Sequence, residues 1–240
     1  MIGTVSNAAA ILVGSVAGRV RSKPFSPATA SFWKVALGAF TVFYGLRLTW
    51  ISLNGSALQM LKQLLIVLVA MSLGKLTGAL LHLQKISNGI GQAARAHLEA
   101  AAAGEKPRVS DAFKICSALL CAAPLGILGA IQEGTSGYFY PLVVKAAMDG
   151  LGAVGLARIL GWGVTLSAMP VLVFQGTISL SCVVWVGPFL RQHALLDSVN
   201  AAGGLLVFSV ALVILNLKKL TLADYLPSLI YAPIISWLWR

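Results

Sequence analysis

The most chemically informative residues of the chain are Lys145 and Asp149, which lie four positions apart in the otherwise apolar stretch 138–157. This spacing places the ammonium and the carboxylate on one face of a helix, where each neutralises the other. A charge at the centre of a bilayer costs at least about 2.5–3.5 kcal/mol on insertion scales, so it persists when it is paired, solvated or functional. Two interpretations stay open: a structural ion pair, or a titratable or ion-coordinating site.

Two prolines lie inside apolar stretches, and each is followed by a polar glutamine within the next eight residues. Pro124 precedes Gln132, and Pro170 precedes Gln175. Proline removes one helical hydrogen bond and frees a carbonyl, which must find another partner or line a polar cavity. Broken helices of this kind form binding sites at the middle of the membrane in transporters. Ordinary kinks with a polar residue near the end of a span are the alternative.

Asn7 and Asn200 open two similar sequences, 7–17 and 200–211, which match if one inserted residue is allowed. This echo suits an internal duplication, as in transporters built from repeated halves, but a chain rich in Ala, Gly, Leu and Val also produces such echoes by chance. Each asparagine lies near the outer end of an apolar stretch. We favour helix capping for both over a hydrogen bond between helices.

The residues that the sequence predicts along an ion or solute path are Lys145, Asp149, Gln132, Gln175, Pro124, Pro170, Asn7 and Asn200.

The composition indicates a membrane protein. Of 240 residues, 58% are apolar and 10% are charged, and the mean hydropathy is +0.86, whereas a soluble domain carries about 25% charged residues. Continuous apolar runs of about 20 residues suit helices that cross a bilayer and do not suit the alternating strands of a membrane barrel. We predict an all-α, polytopic integral membrane bundle that forms one transmembrane domain over residues 1–240.

Hydropathy predicts about eight transmembrane helices. They cover approximately residues 2–20, 33–52, 61–82, 112–132, 138–158, 163–187, 199–217 and 222–239. The longest link, about 85–110, is rich in alanine and basic residues, and it predicts a helix at the cytoplasmic interface or, alternatively, a plain solvated linker. The sequence from Glu133 to Gly137 is typical of a turn between two spans.

The formal net charge of +11 predicts a topology and not a nucleic-acid partner, because the basic residues mark the ends of apolar runs. Lys and Arg concentrate in the cytoplasmic links of membrane proteins. One arrangement, with both termini outside, places nearly all of them on one side. That side holds the 19–32 link with Lys85, Arg95, Lys106, Arg108, Arg158, Lys218 and Lys219, and the other holds Arg191 and the terminal Arg240.

Motifs of common enzymes are missing from the sequence. It contains no HExxH, GxSxG, paired intramembrane aspartates or Gly-rich phosphate loop, and its three histidines lie far apart in the predicted topology. The three cysteines fall in apolar segments without metal-ligand spacing. We therefore expect a protein that is not an enzyme, with no catalytic residue, cofactor or metal site.

Several runs along the chain carry a family resemblance. They are 1–7, 14–18, 126–134, 145–150, 163–170, 175–176, 202–204 and 223–227. In these runs the chain resembles a bacterial inner-membrane family known as domain of unknown function 554, with two departures: Glu133 where an aspartate is expected and Asp224 where an asparagine is common. The resemblance implies a multi-pass protein of the bacterial inner membrane, and it adds no substrate.

We expect a small secondary transporter or ion permease with an ionisable site inside the membrane. The alternative is a non-transporting membrane scaffold or accessory subunit. The expected partners are the lipid bilayer and an unidentified small solute or ion. Glycine-rich helix faces would suit a homo-oligomer as well as packing within one chain.

Overall fold

The structure, a computed structural model, describes residues 1–20, 25–102 and 108–239. Within these ranges the chain is helical and has no β-strand, which confirms the predicted all-α fold there. The helices are α1 (Ile2–Val20), α2 (Pro27–Ser52), α3 (Ala57–Leu80), α4 (Leu83–Ala102), α5 (Val109–Cys121), α6 (Pro124–Ser136), α7 (Tyr140–Leu160), α8 (Gly163–Leu166), α9 (Ala168–Ser181), α10 (Gly187–Gln192), α11 (Leu196–Ile214) and α12 (Ser228–Leu238). A π-helical turn, Cys182–Val186, joins α9 to α10, and a 3-10 turn, Leu222–Tyr225, precedes α12. The predicted topology markers Lys106 and Arg240 lie outside the described residues.

Fewer helices are long and apolar enough to cross a bilayer than the eight spans that hydropathy predicts. Within the part of the chain that the structure describes, four segments are long and apolar enough to cross a bilayer: Pro27–Ser52, Ala57–Leu80, Gly163–Gln192 and Leu196–Ile214. The number rises to five if α5 and α6, which are bent by 59° at their junction, count as one broken span. The apolar helices agree with a membrane protein, and the count of eight stays a prediction.

Helix α1 packs most extensively against α7, and the two run in the same direction. Near their starts, a β-carbon added at Gly3 would lie 2.6 Å from Cβ of Leu142. Further along, the bare Cα of Gly14 lies directly on the backbone of Gly150. Because lipid provides no hydrophobic drive between helices, spans associate through small residues that let backbones approach. Glycine therefore brings α1 close to the helix that carries Lys145.

Two further helix pairs run antiparallel. Gly45 of α2 lies against Phe208 of α11, and Gly38, earlier in α2, lies against Leu215, the residue after α11, so the two helices run in opposite directions. Helix α3 packs on α12 and on the 3-10 turn before it, and it also runs antiparallel to them. Helix α6, most of whose residues are buried, contacts α7, α9 and α11.

Helix α4 occupies most of the link that the sequence predicts at the interface. Its start is attached to the 3-10 turn by two reciprocal contacts. The backbone N–H of Gln84 donates to Oδ1 of Asp224 at 2.9 Å, and the side-chain oxygen of Gln84 accepts from the N–H of Ala223 at 3.0 Å. Most other side chains of α4 are exposed or half-buried, with Ala94 as a buried exception. An amphipathic helix is thus present, and its location at the membrane surface stays a prediction.

The turn predicted at Glu133–Gly137 is wrong for most of its length. Helix α6 continues to Ser136 and ends at Gly137, whose φ of 74° provides the left-handed C-terminal cap. Glycine favours that conformation because it has no β-carbon. Glu133 consequently lies inside a helix and is buried, with a relative exposure of 5%.

Candidate functional site

Lys145 and Asp149 form an ion pair on α7, as their spacing predicts. Nζ of Lys145 donates to Oδ2 of Asp149, and the two side chains have relative exposures of 2% and 11%. Both charges therefore face the protein interior. Burial of an ion pair is costly unless the geometry and the surrounding hydrogen bonds compensate for the lost hydration, so the neighbouring polar groups matter.

Gly126 of α6 creates the space into which Lys145 extends. A β-carbon added at Gly126 would lie 2.7 Å from Cε of Lys145 and 3.0 Å from Nε2 of Gln175. The lysine stem and the glutamine amide therefore both lie against the bare Cα of Gly126, two residues after Pro124. Three helices, α6, α7 and α9, thus converge on the ion pair.

Gln175 connects this cluster to α1. Its Oε1 accepts a hydrogen bond from Nδ2 of Asn7 at 3.1 Å, and both side chains are fully buried. Capping, the interpretation favoured for Asn7, is wrong, because α1 begins at Ile2 and the asparagine lies on its second turn. Asn200 likewise lies within α11, beyond its first residue Leu196, and is not a cap.

Glu133 is a buried carboxylate that the sequence reasoning did not place in the site. Its Oε1 accepts from the N–H of Gly3 at 2.6 Å, and its Oε2 accepts from the N–H and the hydroxyl of Thr4 at 3.2 and 2.6 Å. A carboxylate at a helix N-terminus is favoured by the unsatisfied N–H groups and the helix dipole. A signal was present, because Gly137 is a typical helix stop and would have kept Glu133 inside the helix.

Gln132 lies on another face of α6 and meets α11. Its Nε2 is in direct contact with the bare Cα region of Gly203, which is one turn from Asn200. Gln132 is fully buried and Asn200 has a relative exposure of 7%. The structure thus separates the predicted residues into two groups: Asn7 and Gln175 with the ion pair, and Gln132 with Asn200.

The two prolines behave differently. Pro124 is the first residue of α6, and the helix axis turns by 59° between α5 and α6; the break predicted there is confirmed. Pro170 lies in the first turn of α9, inside the segment Gly163–Gln192 that counts as one long helix. The irregular position is Ser167, between the single turn of α8 and the start of α9. The predicted break at Pro170 is therefore at most a local distortion.

Several buried polar atoms of these groups have no hydrogen-bond partner within the described part of the chain. They are Oδ1 of Asn7, both amide atoms of Gln132, Nε2 of Gln175, Oγ of Ser179 and Oδ1 of Asn200. Nearly all buried polar groups in folded proteins are satisfied by protein or water. These atoms, on α1, α6, α9 and α11, are available to water or to a polar solute. Residues 1–20, 25–102 and 108–239 bring together no group of three His, Cys, Asp or Glu side chains that could hold a metal ion.

Comparison with known proteins identifies the family. The family described as "Protein of unknown function (DUF554)" matches residues 2–237. The chain belongs to this family. It is 25% identical to "Uncharacterized membrane protein YdfK" of Bacillus subtilis over 235 residues, covering 98% of this chain and 95% of that protein. It is 27% identical to "Uncharacterized protein YqgA" of Escherichia coli over 240 residues, covering 100% of this chain and 97% of the relative. No solved structure matches the chain. Membership of the family agrees with the resemblance seen in the sequence, and the name of the Bacillus relative agrees with a membrane protein.

Proposed function

We propose that this protein is a multi-pass transporter of the bacterial inner membrane that moves a small solute or ion and catalyses no reaction. The observation that carries the proposal is the fully buried Lys145, which is paired with Asp149 and lies, like the amide of Gln175, against the bare Cα of Gly126. Ionisable residues inside membrane spans are expensive and mark ion or substrate paths. The unpartnered amide atoms nearby supply donors and acceptors for such a path.

A continuous series of polar side chains supports this path. Glu133 binds Thr4 at the start of α1, and Asn7 follows on the next turn of that helix. Asn7 donates a hydrogen bond to Gln175, and the amide of Gln175 and the stem of Lys145 both lie against Gly126 of α6. The series therefore leads from the start of α1 to the second turn of α7, through side chains that are all buried.

Eight membrane crossings, with both termini outside, form part of the proposal. The helix directions agree with it: in an eight-crossing chain the first and fifth spans are parallel, while the second and seventh, and the third and eighth, are antiparallel. Helices α1, α2 and α3 correspond to the first three predicted spans, and α7, α11 and α12 to the fifth, seventh and eighth. Helix α1 runs parallel to α7, whereas α2 runs antiparallel to α11 and α3 antiparallel to α12. Alkaline phosphatase and green fluorescent protein fusions after Trp239 test the orientation, since an active phosphatase and a dark fluorophore are expected.

The test of transport is flux into proteoliposomes of purified protein. Common monovalent ions and small metabolites are measured with and without a pH gradient, for the wild type and for Asp149→Asn. We expect the variant to insert and fold but to lose flux, because Lys145 is left without its counter-ion. Asp111→Asn, in the first turn of α5, is the matched control and keeps wild-type flux. Normal flux in Asp149→Asn removes the proposal.

A second candidate function is a non-transporting scaffold or accessory subunit. The observation that favours it is the close contact between Gly14 and the backbone of Gly150, the residue after Asp149, which seals this side of the ion pair. A scaffold tolerates replacement of both charges by apolar residues. Preserved cellular function in the Lys145→Met, Asp149→Leu double variant favours the scaffold, and loss of function with an intact fold favours transport.

A further inference from the structure

A polar cavity opens between the start of α3, the end of α10, the start of α11 and the end of α12. Its volume is about 460 Å³, and its lining includes Lys62, Gln63, Gln192, His193, Asp197 and Ser198. This volume lies within the range of roughly 300–1,000 Å³ that is usual for small-molecule sites. None of these residues belongs to the ion pair on α7 or to the predicted path.

The cavity presents one positive and one negative side chain that do not pair with each other. The ammonium of Lys62 lies 6.0 Å from the ring centroid of Trp239. The carboxylate of Asp197 accepts a hydrogen bond from Nδ2 of Asn54 at 3.3 Å. Each charge has a neutral partner, so each is available to a group of opposite charge on a ligand.

Neutral polar groups continue from this cavity along α11. Asn200 follows Asp197 by three residues, so it lies on an adjoining part of the same helix face, and it is buried. One turn further, Gly203 is in contact with the amide of Gln132, which is fully buried and has no hydrogen-bond partner within the described ranges. A ligand that leaves the two charges would therefore next meet amide donors and acceptors.

The geometry points to a small zwitterionic solute, such as an amino acid, as the ligand of this cavity. Its carboxylate would face Lys62 and its ammonium would face Asp197. A simple anion would be attracted by Lys62 but repelled by Asp197, and a simple cation would experience the reverse, so both charges together discriminate against ions of one sign. The role of the cavity as a transport substrate site rests on the proposed transport function. Binding of the zwitterion to the cavity is measured separately, without a transport assay.

Four probes of similar size and different charge test the assignment. L-alanine is the zwitterion, lactate the anion, alaninamide the cation and lactamide the neutral analogue, each titrated at pH 7 into purified full-length protein in detergent by calorimetry. We expect L-alanine to bind at least about tenfold more tightly than any of the others, which corresponds to about 1.4 kcal/mol. Binding of L-alanine that is no tighter than that of lactamide overturns the assignment.

Two variants separate a role in charge recognition from a role in structure. Asp197→Asn removes the negative group and should lower the ratio of the affinity for L-alanine to that for lactate. Lys62→Gln removes the positive group and should lower the ratio of the affinity for L-alanine to that for alaninamide. Glu99→Gln and Lys85→Gln on exposed positions of α4 are the matched controls and keep the wild-type preferences. Because each result is a ratio of two affinities in one sample, it does not depend on the folded fraction. An equal loss of affinity for all four probes overturns the assignment.

The flux assay distinguishes the two proposals. L-alanine binding without flux of any solute leaves the zwitterion site standing and removes the transport function. Flux of an inorganic ion without L-alanine binding removes the zwitterion site and leaves the transport function standing.

Discussion

The hydroxyl of Thr4 donates to the buried carboxylate of Glu133 at 2.6 Å, although the two residues are 129 positions apart in the sequence. The same carboxylate also accepts the N–H groups of Gly3 and Thr4. Helix α1 is therefore held in place at its first turn by a side chain of α6. Because α1 also carries Asn7, this contact positions one end of the proposed path.

Glu133→Ala should lower the free energy of unfolding by about 2–4 kcal/mol, because it leaves buried donors of α1 without an acceptor. The measurement is unfolding by denaturant in detergent. Glu99→Ala, on an exposed position of α4, should change stability by no more than about 0.5 kcal/mol. Equal stability of the two variants contradicts the role of Glu133 in holding α1.

Replacing either member of the ion pair alone should cost more stability than replacing both. Lys145→Met leaves Asp149 as a buried charge without a partner, and such a loss costs about 3–5 kcal/mol. The double variant Lys145→Met, Asp149→Leu should recover most of that loss, since two apolar side chains need no hydration. A double-mutant cycle of unfolding free energies measures the coupling, and strictly additive losses would show that the pair does not act as a unit.

The Asn7–Gln175 hydrogen bond should give a coupling energy of about 0.6 kcal/mol and no more than about 1.7 kcal/mol, the average and the maximum measured for side-chain hydrogen bonds between membrane helices. Asn7→Ala, Gln175→Ala and the double variant supply the cycle, measured by unfolding in detergent. The matched control is a cycle of Asn200→Ala with Gln175→Ala. Since Asn200 lies in the other polar group, by Gln132, that control should give a coupling close to zero. Similar couplings in both cycles would contradict the division into two groups.

Two glycines in contrasting surroundings should respond to alanine in opposite directions. Gly14→Ala places a β-carbon on the backbone of Gly150, and overpacking of this kind costs about 1–3 kcal/mol. Gly155→Ala on α7 meets nothing within 4 Å and should stabilise the helix by about 0.5–1 kcal/mol. Unfolding in detergent measures both, and a neutral Gly14→Ala would argue against the close approach of α1 to α7.

Local features of the site were predictable from the sequence. The pairing of Lys145 with Asp149 follows from a spacing of four on one helix, and the break at Pro124 follows from the chemistry of proline. Both depend on residues of a single element. The turn at Glu133 was misplaced for a local reason, because apolar content alone was used to end the span and the stop signal of Gly137 was passed over.

Contacts between elements were not predictable in this way. Asn7 was expected to cap a helix, yet it bonds Gln175, 168 positions away. The sequence offers many polar residues that could meet across helices, and no periodicity says which helix faces lie together. The separation of Gln132 from Gln175 into different groups is of the same kind, since both follow a proline in similar sequences.

The sequence by itself determined that this protein is a helical membrane protein, where its apolar helices lie and that one of them carries a pair of opposite charges. These properties depend on composition and on spacing within one helix, so they need no knowledge of neighbours. Only the tertiary structure decided that Glu133 holds α1, that Gln175 joins Asn7 to Lys145 and that Lys62 and Asp197 share a cavity. Each of these arises where bare glycine backbones or helix ends bring distant segments into contact, and burial then requires their polar atoms to find partners there.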